Sequence, residues 1–328
     1  MRTHRSTIVN LGVSLALAAT LLAGCGSDDE PTVAPPATQP TGGAAATFPL
    51  DITTAGGTFT VPGRPVRIVS LAPSTTEMLF AIGAGPQVVA VDDQSNFPPE
   101  VPRTDLSGFT PNLEAVAGYT PDLVVVSGDA GGLVAGLGQL RIPTAVFPAA
   151  GTLDDTYAQI EQLGAATGQV AEAAGLVARM QTDIAALLAE VPPRPEPLTY
   201  YHELDPTFYS VTSRTFIGAV YTAVGLVNIA DGATGAGDYP RLSSEAIVRA
   251  DPDLIFLADT RIKPTPQNAG TVAARPGWST ISAVRNGGVV VLDDDIASRW
   301  GPRIVDLLRQ VIAAVKAVPA PVGATAGG

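Results

Sequence analysis

Two stretches of the 328-residue chain read almost alike, and they decide the fold. Residues 112–116 are Asn-Leu-Glu-Ala-Val and residues 121–125 are Pro-Asp-Leu-Val-Val, whereas residues 243–247 are Ser-Ser-Glu-Ala-Ile and residues 252–256 are Pro-Asp-Leu-Ile-Phe. In each copy a capping residue begins a short helix, and the Pro-Asp-Leu that follows leads into an apolar strand. The chain therefore contains one structural unit twice, which predicts two similar lobes.

Further short apolar strands alternate with helical stretches around both copies, which is typical of α/β units with mostly parallel sheets. Strands are predicted at residues 67–71, 88–91, 123–126, 144–147, 198–202, 254–257 and 289–292. Helices are predicted at residues 73–83, 216–224 and 302–318. Ser74 and Glu77 have the spacing of a capping box at the start of the first helix. The predicted fold class is α/β, with two lobes that each contain a mostly parallel β-sheet flanked by helices.

The longest uninterrupted helical pattern, over residues 168–190, lies between the two halves. Apolar residues recur in it at steps of three and four, and the proline-rich residues 192–195 end it. Such a helix would be about 34 Å long, enough to run from one lobe to the other. We therefore predict an N-terminal lobe over residues 59–167, one long bridging helix over residues 168–192 and a C-terminal lobe over residues 193–328.

The first part of the chain has the features of a lipoprotein leader. Two arginines precede an apolar run over residues 8–22, which is too short for a permanent membrane span and typical of a secretory signal. Residues 22–25, Leu-Ala-Gly-Cys, resemble the bacterial lipobox, in which the chain is cut before the cysteine and the cysteine is acylated. We predict a signal peptide over residues 1–24, lipidation of Cys25 and a flexible linker, including this cysteine, over residues 25–58. A chance cleavage site beside an unrelated thiol is the alternative.

Composition excludes several function classes. The chain has 19 basic and 31 acidic residues and a net charge of −12, so no positive field favours nucleic acid as a partner. Cys25 is the single cysteine, which excludes an internal disulfide and cysteine-rich metal sites. His4 and His202 are the only histidines, so multi-histidine metal centres are disfavoured. We expect neither a metal site nor a resident cofactor.

An enzyme is the first alternative, because α/β folds host many hydrolases. The sequence contains no Gly-x-Ser-x-Gly elbow, no Walker loop and no complete Gly-x-Gly-x-x-Gly. His202 would have to act as the general base, although it lies in an apolar strand as a structural residue would. The acidic residues 293–295 suggest either a metal site or a solvated turn. A lipoprotein that binds another protein and no solute is a further alternative.

Taken together, the residues resemble the solute-binding proteins of ABC importers in which a single rigid helix bridges two lobes. The resemblance covers about residues 60–320. Its motifs are residues 68–77 (Ile-Val-Ser-Leu-Ala-Pro-Ser-Thr-Thr-Glu), the two repeat copies, and residues 275–278 (Arg-Pro-Gly-Trp). Such proteins carry cobalamin, iron–siderophores or haem. The cobalamin-binding branch is the most similar, notably at residues 98–99 (Pro-Pro) and 301–304 (Gly-Pro-Arg-Ile).

The resemblance implies an extracytoplasmic, membrane-anchored monomer that captures cobalamin between its lobes and performs no catalysis. It would deliver the ligand to an ABC permease dimer with its ATPase subunits. Glu114 and Glu245 match the docking glutamates of the family, one in each lobe. Two equivalent carboxylates on two similar lobes suit a two-fold partner. The alternative is that both glutamates only complement the dipoles of their helices.

The resemblance also implies a set of ligand contacts. They are Phe97, Phe109, Phe208, Tyr209, Tyr239, Asp295, Arg299 and Trp300. Aromatic faces would pack against a flat macrocycle, and the polar tips would supply directional hydrogen bonds. For the three phenylalanines, ordinary core packing is the alternative.

Two departures from the cobalamin binders leave other ligands open. Gln94 and Gly108 fall where those proteins carry aromatic rings. Haem would need an axial ligand, for which Tyr209, Tyr239 and His202 are candidates. Anionic siderophores would need several inward-facing arginines, for which Arg241, Arg299 and Arg303 are candidates.

Overall fold

The computed structural model describes residues 46–233, 237–261 and 266–319. Cys25 and the predicted signal peptide lie outside the described residues. The first element is an antiparallel hairpin of β1 (Leu50–Thr54) and β2 (Gly57–Val61).

The hairpin packs against the first lobe, because Ile52 and Val61 are buried in its core and Thr54 Oγ1 donates a hydrogen bond of 2.6 Å to the carbonyl of Val146. The linker was predicted to extend to residue 58, and the structure differs there, since ordered strand begins at Leu50. A short threonine-rich hairpin that buries few side chains leaves a weak signal in the sequence.

Two four-stranded parallel sheets form the body of the molecule. The strands of the first sheet are β3 (Ile68–Ser70), β4 (Val88–Val91), β5 (Leu123–Val126) and β6 (Thr144–Val146), in the order β4-β3-β5-β6. Those of the second sheet are β7 (Thr199–Glu203), β8 (Val227–Asn228), β9 (Leu254–Leu257) and β10 (Val289–Val291), in the order β8-β7-β9-β10. If the strands of each sheet are numbered one to four along the chain, both sheets have the order second, first, third, fourth from one edge to the other. The repeat in the sequence is therefore also a repeat in topology.

The repeated Pro-Asp-Leu has the same structural role in each sheet. The carboxylate of Asp122 accepts hydrogen bonds of 2.9 Å from the amides of Val66 and Arg67, just before β3. The carboxylate of Asp253 accepts one of 2.8 Å from the amide of Thr199, at the start of β7. Each aspartate thus ties the start of the third strand of its sheet to the start of the first.

Helices cover both faces of the sheets. They are α1 (Pro73–Ala81), α2 (Leu113–Gly118), α3 (Leu133–Gln139), α4 (Leu153–Thr167), α5 (Val170–Ala189), α6 (Phe216–Ala223), α7 (Ser244–Ala250), α8 (Ala269–Ala273), α9 (Ser282–Arg285), α10 (Asp294–Ala297) and α11 (Ile304–Ala317). This arrangement confirms the predicted α/β class with two lobes. None of these helices in the described part of the chain combines the length and apolar character that a membrane span requires.

The long helix predicted between the lobes is α5, with 20 residues. Its buried side chains are spaced by three or four residues, so they form one stripe. They are Ala173, Val177, Met180 and Ile184. The stripe packs against α4, which precedes it, and against α11, which ends the second lobe. Lys316 on α11 and Glu190 after α5 also form an ion pair of 2.7 Å. The helix therefore contacts elements of both halves of the molecule.

One hydrophobic cluster extends through both lobes, and a smaller cluster lies on the other face of each sheet. Strand β7 illustrates the alternation, because Tyr200 faces the shared cluster and Tyr201 faces the smaller cluster of the second lobe.

Candidate functional site

The loops that follow strands of the two sheets meet at the junction between the lobes. Asn96, after β4, donates a hydrogen bond of 2.8 Å from Nδ2 to Asp295 on α10, which follows β10. Arg299, after α10, donates one of 2.9 Å to the carbonyl of Gln94. Parallel α/β sheets bind ligands beyond the carboxyl ends of their strands. The junction is therefore the candidate ligand site.

Arg299 is the centre of the polar contacts across this junction. Its guanidinium contacts Glu77 Oε1 at 2.8 Å, Asn96 Oδ1 at 2.9 Å and Asp295 Oδ1 at 2.8 Å, in addition to the Gln94 carbonyl. The side chain is buried, with 8% of its surface exposed. Buried guanidinium groups require this degree of pairing, since an unpaired buried charge is costly.

The buried carboxylate of Glu77 pairs with two guanidinium groups. Besides Arg299, it accepts hydrogen bonds from Arg303 at 2.9 Å to Oε2 and 2.5 Å to Oε1. Glu77 lies on α1 in the first lobe, and both arginines belong to the second. The charge-assisted contacts therefore hold the lobes together at the junction.

Arg261 continues the network on the second lobe. Its guanidinium contacts Asp295 Oδ2 at 2.7 Å and Asp293 Oδ2 at 2.6 Å. Burial alone would raise the pKa of Asp295, but the hydrogen bond from Asn96 and the positive charge of Arg299 outweigh it and hold that pKa below its usual value. Asp295 is therefore an ionised member of the network.

The acidic residues 293–295 have structural tasks in this network. Asp293 caps α10 through Oδ1, and Asp294 accepts hydrogen bonds from the amide and hydroxyl of Thr260, at 3.0 and 2.7 Å. Among the described residues, no group of three histidine, cysteine or acidic side chains is arranged to hold a metal ion. The acidic run thus begins a helix and fixes the loop after β9.

Trp300 also lies at the junction. Its Nε1 donates a hydrogen bond of 3.0 Å to Gln159 on α4, and its ring packs partly buried against the shared core. The structure thus brings Asp295, Arg299 and Trp300 together and pairs their polar atoms with other protein groups. Their contact with a ligand stays a prediction.

Four of the predicted ligand-binding aromatic residues are exposed. Their exposed fractions are 39% for Phe97, 81% for Phe109, 42% for Tyr209 and 55% for Tyr239. Core packing therefore does not account for Phe97 and Phe109. The ring of Phe97 lies under the guanidinium of Arg303, at 4.2 Å, beside a small pocket of about 270 Å³ that Glu77 also lines.

Phe208 differs from these four side chains. It is half-buried and stacks on Trp278, with 5.7 Å between ring centroids and 30° between ring planes. Ordinary core packing, the alternative to a ligand contact, is therefore what the structure has at Phe208. Phe208 and its neighbour Tyr209 thus have different environments, and the ligand contact of Phe208 stays a prediction.

Gly108 allows the loop that carries Phe109 to lie against the end of β3. A Cβ atom on Gly108 would lie 2.5 Å from the carbonyl oxygen of Leu71, so no side chain fits there. Ser107 Oγ accepts hydrogen bonds of 3.2 and 3.1 Å from the amides of Phe109 and Thr110. The absence of an aromatic ring at position 108 therefore has a steric cause, and the exposed ring comes one residue later.

Tyr209 and Tyr239 lie on two segments that run antiparallel beyond β7. The amide of Ser210 donates to the carbonyl of Pro240, and the amide of Thr212 donates to that of Asp238, both at 2.9 Å. The pairing places the backbones of the two tyrosines on adjacent segments at the carboxyl edge of the second sheet.

His202 is fully buried on β7 and takes no part in this site. Its Nδ1 lies 2.9 Å from the hydroxyl oxygen of Tyr221, and burial lowers its pKa to about 3. A neutral, enclosed imidazole cannot reach a solute. The interpretations that used His202 as a general base or as an axial haem ligand are therefore wrong.

The two predicted docking glutamates have equivalent positions. Glu114 is the second residue of α2 and Glu245 the second of α7, and both are exposed. The capping side chains Asn112 and Ser243 accept hydrogen bonds of 2.9 and 3.1 Å from the helix amides. A hydrogen bond from its own amide and another from the Ser243 hydroxyl lower the pKa of Glu245, so it is ionised at neutral pH. Docking itself stays a prediction.

Comparison with known proteins connects this geometry to a family. Residues 68–296 match the family model described as periplasmic binding protein, and this span contains both sheets. The chain belongs to this family. As a periplasmic binding protein, it works outside the cytoplasm with an ABC permease and its ATPase subunits, and it binds a small-molecule ligand. The predicted family is therefore confirmed.

Three similar proteins illustrate the range of this periplasmic binding protein family. An uncharacterized ABC transporter substrate-binding lipoprotein of Bacillus subtilis is 30% identical over 89% of this chain and 92% of its own. A cobalamin-binding protein of Halobacterium salinarum is 31% identical over 92% of this chain and 83% of its own. The crystal structure of the periplasmic vitamin B12 binding protein of Vibrio cholerae superposes with a TM-score of 0.64 at 27% identity, covering 78% of this chain and 98% of that one.

The sequence patterns of this periplasmic binding protein did not predict Glu77, Asn96 and Arg261 as members of the junction. Glu77 and Ser74 were expected to form a capping box, which is wrong. The N-cap of α1 is Ala72, without a side-chain cap, and Pro73 begins the helix. The available signal was a glutamate inside an otherwise uncharged helix, since buried carboxylates require partners.

Proposed function

We propose that this periplasmic binding protein captures cobalamin between its lobes and delivers it to its ABC permease. The observation that carries the proposal is the exposure of large aromatic side chains after strands of both sheets. Phe97 and Phe109 follow β4 in the first lobe, and Tyr209 and Tyr239 belong to the second. Exposed aromatic rings on two facing lobes suit a flat macrocycle, because each contributes a large apolar surface.

The charge balance of the junction supports a ligand with little net charge. Three arginines are paired with three carboxylates there, namely Arg261, Arg299 and Arg303 with Glu77, Asp293 and Asp295. Polyanionic siderophores need cations that are free to bind them. Cobalamin has a flat corrin ring edged with amide groups, which can pack on the aromatic rings and hydrogen-bond with polar side chains. The paired arginines favour cobalamin over an anionic siderophore.

Haem is the second candidate, and the exposed tyrosines are the observation that favours it. A phenolate from Tyr209 or Tyr239 could ligate haem iron, since tyrosine is a known axial ligand. His202 is excluded as that ligand by its burial. Haem carries two propionates, and Arg241 is the exposed arginine nearest in sequence to Tyr239; its Nε donates to the Thr207 carbonyl at 2.9 Å.

We also propose that a lipid on Cys25 attaches the protein to the membrane. Lipidation of Cys25 would hold the protein at the outer surface of the cell membrane, next to its permease. The wild type should incorporate radiolabelled palmitate in cells, whereas a Cys25→Ser variant, which has no thiol to acylate, should not. Equal labelling of both proteins, or labelling of neither, would contradict the lipid anchor.

Calorimetric titration of a soluble form that begins after Cys25 tests the ligand. Saturable one-to-one binding of cyanocobalamin with a submicromolar Kd is expected, without comparable binding of haemin or of a ferric hydroxamate siderophore. A response to haemin alone would replace cobalamin with the second candidate, and Tyr209→Phe and Tyr239→Phe variants would then identify the axial ligand by the loss of its absorption bands. Absence of binding to all three would refute the cobalamin and haem candidates and would favour a lipoprotein that binds another protein and no solute.

A further inference from the structure

A pocket of about 870 Å³ lies on the second lobe beside Glu245. All of its walls belong to that lobe, and they include Phe208, Ser244, Val248, Arg249 and Arg275. None of the arginines or carboxylates of the junction lines it, whereas Phe208, one of the predicted ligand contacts, does. We refer to it as the α7 pocket.

The walls of the α7 pocket are held in place by contacts behind them. Trp278 stacks on Phe208, and its Nε1 donates a hydrogen bond of 2.8 Å to Ser244 Oγ. The guanidinium of Arg275 lies 4.4 Å from the centroid of Trp278 and makes two contacts of 2.6 Å with the buried carboxylate of Glu203. The pocket is thus preformed, which lowers the entropy cost of filling it.

The corresponding helix position in the first lobe carries a larger side chain. In the sequence repeat, Leu113 on α2 corresponds to Ser244 on α7. Leu113 packs against α3, so closely that a Cβ atom on Gly136 would lie 2.9 Å from its Cδ2. The two lobes therefore present equivalent glutamates but different surroundings. The leucine before Glu114 packs on α3, whereas the serine before Glu245 accepts the hydrogen bond from Trp278 and lines the α7 pocket.

We propose that the α7 pocket is a socket for an apolar side chain of the permease, presented next to a basic group that pairs with Glu245. The proposal rests on the proposed function, because it names a second contact of the same docking face. An exposed apolar pocket with an ionised carboxylate at its rim combines the two features of strong interface sites, a buried apolar anchor and a complementary charge. Arg249 lines the same wall, and its positive charge would repel a basic group of the permease. The basic group that pairs with Glu245 must therefore lie away from Arg249.

The consequence is unequal docking of the two lobes. The first lobe would contribute a charge contact alone, whereas the second would contribute a charge contact and an inserted side chain.

Filling the socket tests the proposal. Val248→Trp places a large ring in the pocket, and Val227→Trp is the matched control. Val227 is 46% exposed at the start of β8, on the amino edge of the sheet, whereas the pocket residues Pro206 and Phe208 follow the carboxyl end of β7. In cells that lack the native copy, Val248→Trp should reduce uptake of radiolabelled cobalamin about tenfold or more. Calorimetric affinity for cobalamin should stay within about twofold of wild type in both variants, and the control should retain full uptake.

A second measurement does not depend on the ligand or on how well the core tolerates tryptophan. A photo-cross-linking residue, p-benzoylphenylalanine, replaces the exposed Arg249 or the control Val227 in the full lipoprotein in cells. Position 249 should cross-link to an integral permease subunit, identified by mass spectrometry, and position 227 should not.

Failure of the socket and failure of the cobalamin proposal are distinguishable. Full uptake by a folded Val248→Trp variant, or absence of a permease cross-link from position 249, would overturn the socket while cobalamin binding by the wild type still stood. Conversely, a wild type that does not bind cobalamin but cross-links to a permease from position 249 would refute the ligand and support the socket.

Discussion

Arg299 Nη1 lies 2.8 Å from Glu77 Oε1, and this contact joins a helix of the first lobe to the segment before the last helix of the second. Both side chains are buried, and Arg303 adds a second guanidinium to the same carboxylate. Large separation of the lobes would expose and unpair all three charges. The contact therefore favours a protein that closes modestly around its ligand.

Glu77→Gln should destabilise the fold strongly, because the half-buried Arg303 would lose its counter-charge and the buried Arg299 would keep only Asp295. We expect the free energy of unfolding to fall by about 3 kcal/mol, as measured by urea denaturation. Glu190→Gln is the control, since it breaks the exposed pair with Lys316 and should change stability little. Equal urea midpoints for wild type and Glu77→Gln would show that the junction pairs do not hold the lobes.

Phe109→Ala should weaken ligand binding without weakening the fold. With 81% of its surface exposed, Phe109 contributes little to the core, whereas a ring stacked on the macrocycle would be lost. We expect the calorimetric Kd for cobalamin to rise about tenfold. Val66→Ala, at a side chain 66% exposed outside the site, should leave the Kd unchanged.

Phe208 differs from Phe109 because it is half-buried and stacked on Trp278, so that its truncation should also lower the stability of the fold. Phe208→Ala should lower the free energy of unfolding by about 2 kcal/mol. An unaltered Kd for Phe109→Ala would remove that ring from the ligand site.

The buried carboxyl of Asp259 should make the folded protein less stable as the pH rises. It is buried beside Glu203, and neither of its carboxylate oxygens has a hydrogen-bond partner among the described residues. Burial, together with the negative charge of Glu203, raises the pKa of Asp259 from its ordinary 3.8 to about 8, although the nearby Arg275 lowers it. A proton on Asp259 can be donated to Glu203, which explains how two buried carboxyls coexist.

The direction of this change in the free energy of unfolding follows from proton binding. Between about pH 4 and pH 8 the folded chain retains a proton that the unfolded chain releases, so the free energy of unfolding falls as pH rises through this window. The stabilising contribution is complete below the unfolded pKa and is lost above the folded one. Urea midpoints at pH 5, 6.5 and 8 should decrease for the wild type and decrease less for Asp259→Asn, which cannot ionise. The exposed Asp105→Asn should retain the wild-type slope, and a wild-type slope in Asp259→Asn would refute the assignment.

The fold class, the internal repeat and the long helix could be predicted from sequence because their signals are local. The repeated Glu-to-Pro-Asp-Leu segment marks a helix, a turn and a strand start in each lobe, and the two sheets have one strand order. The stripe of α5 has helical periodicity over 20 residues. Both signals depend on residues a few positions apart, where spacing alone determines structure.

The junction could be predicted only in part, since its contacts join distant residues. Glu77 and Arg299 are separated by 222 positions, and no local spacing indicates their pairing. Locally, Glu77 resembles the third position of a capping box, and its true partners appear only when the lobes are assembled. The exposed aromatic residues were identified through the family resemblance, whereas the α7 pocket is formed by residues that are distant in the sequence and meet beside α7 only in the folded lobe.

Reversing the charges of both docking glutamates tests the delivery step. Glu114→Lys with Glu245→Lys should abolish cobalamin uptake in cells, because each change replaces attraction to a basic group on the permease with repulsion. Affinity for cobalamin should stay at its wild-type value, since both side chains are exposed on α2 and α7 and neither contacts the junction network.

The control for this double variant must carry the same change in net charge. Glu161→Lys with Glu172→Lys provides it, because both glutamates are exposed on α4 and α5, away from the repeated helices. Uptake by this control should equal that of the wild type. Retained uptake in the Glu114 and Glu245 double variant would leave the glutamates as helix-dipole partners only, and a loss of cobalamin affinity would place them in the ligand site instead of on the docking face.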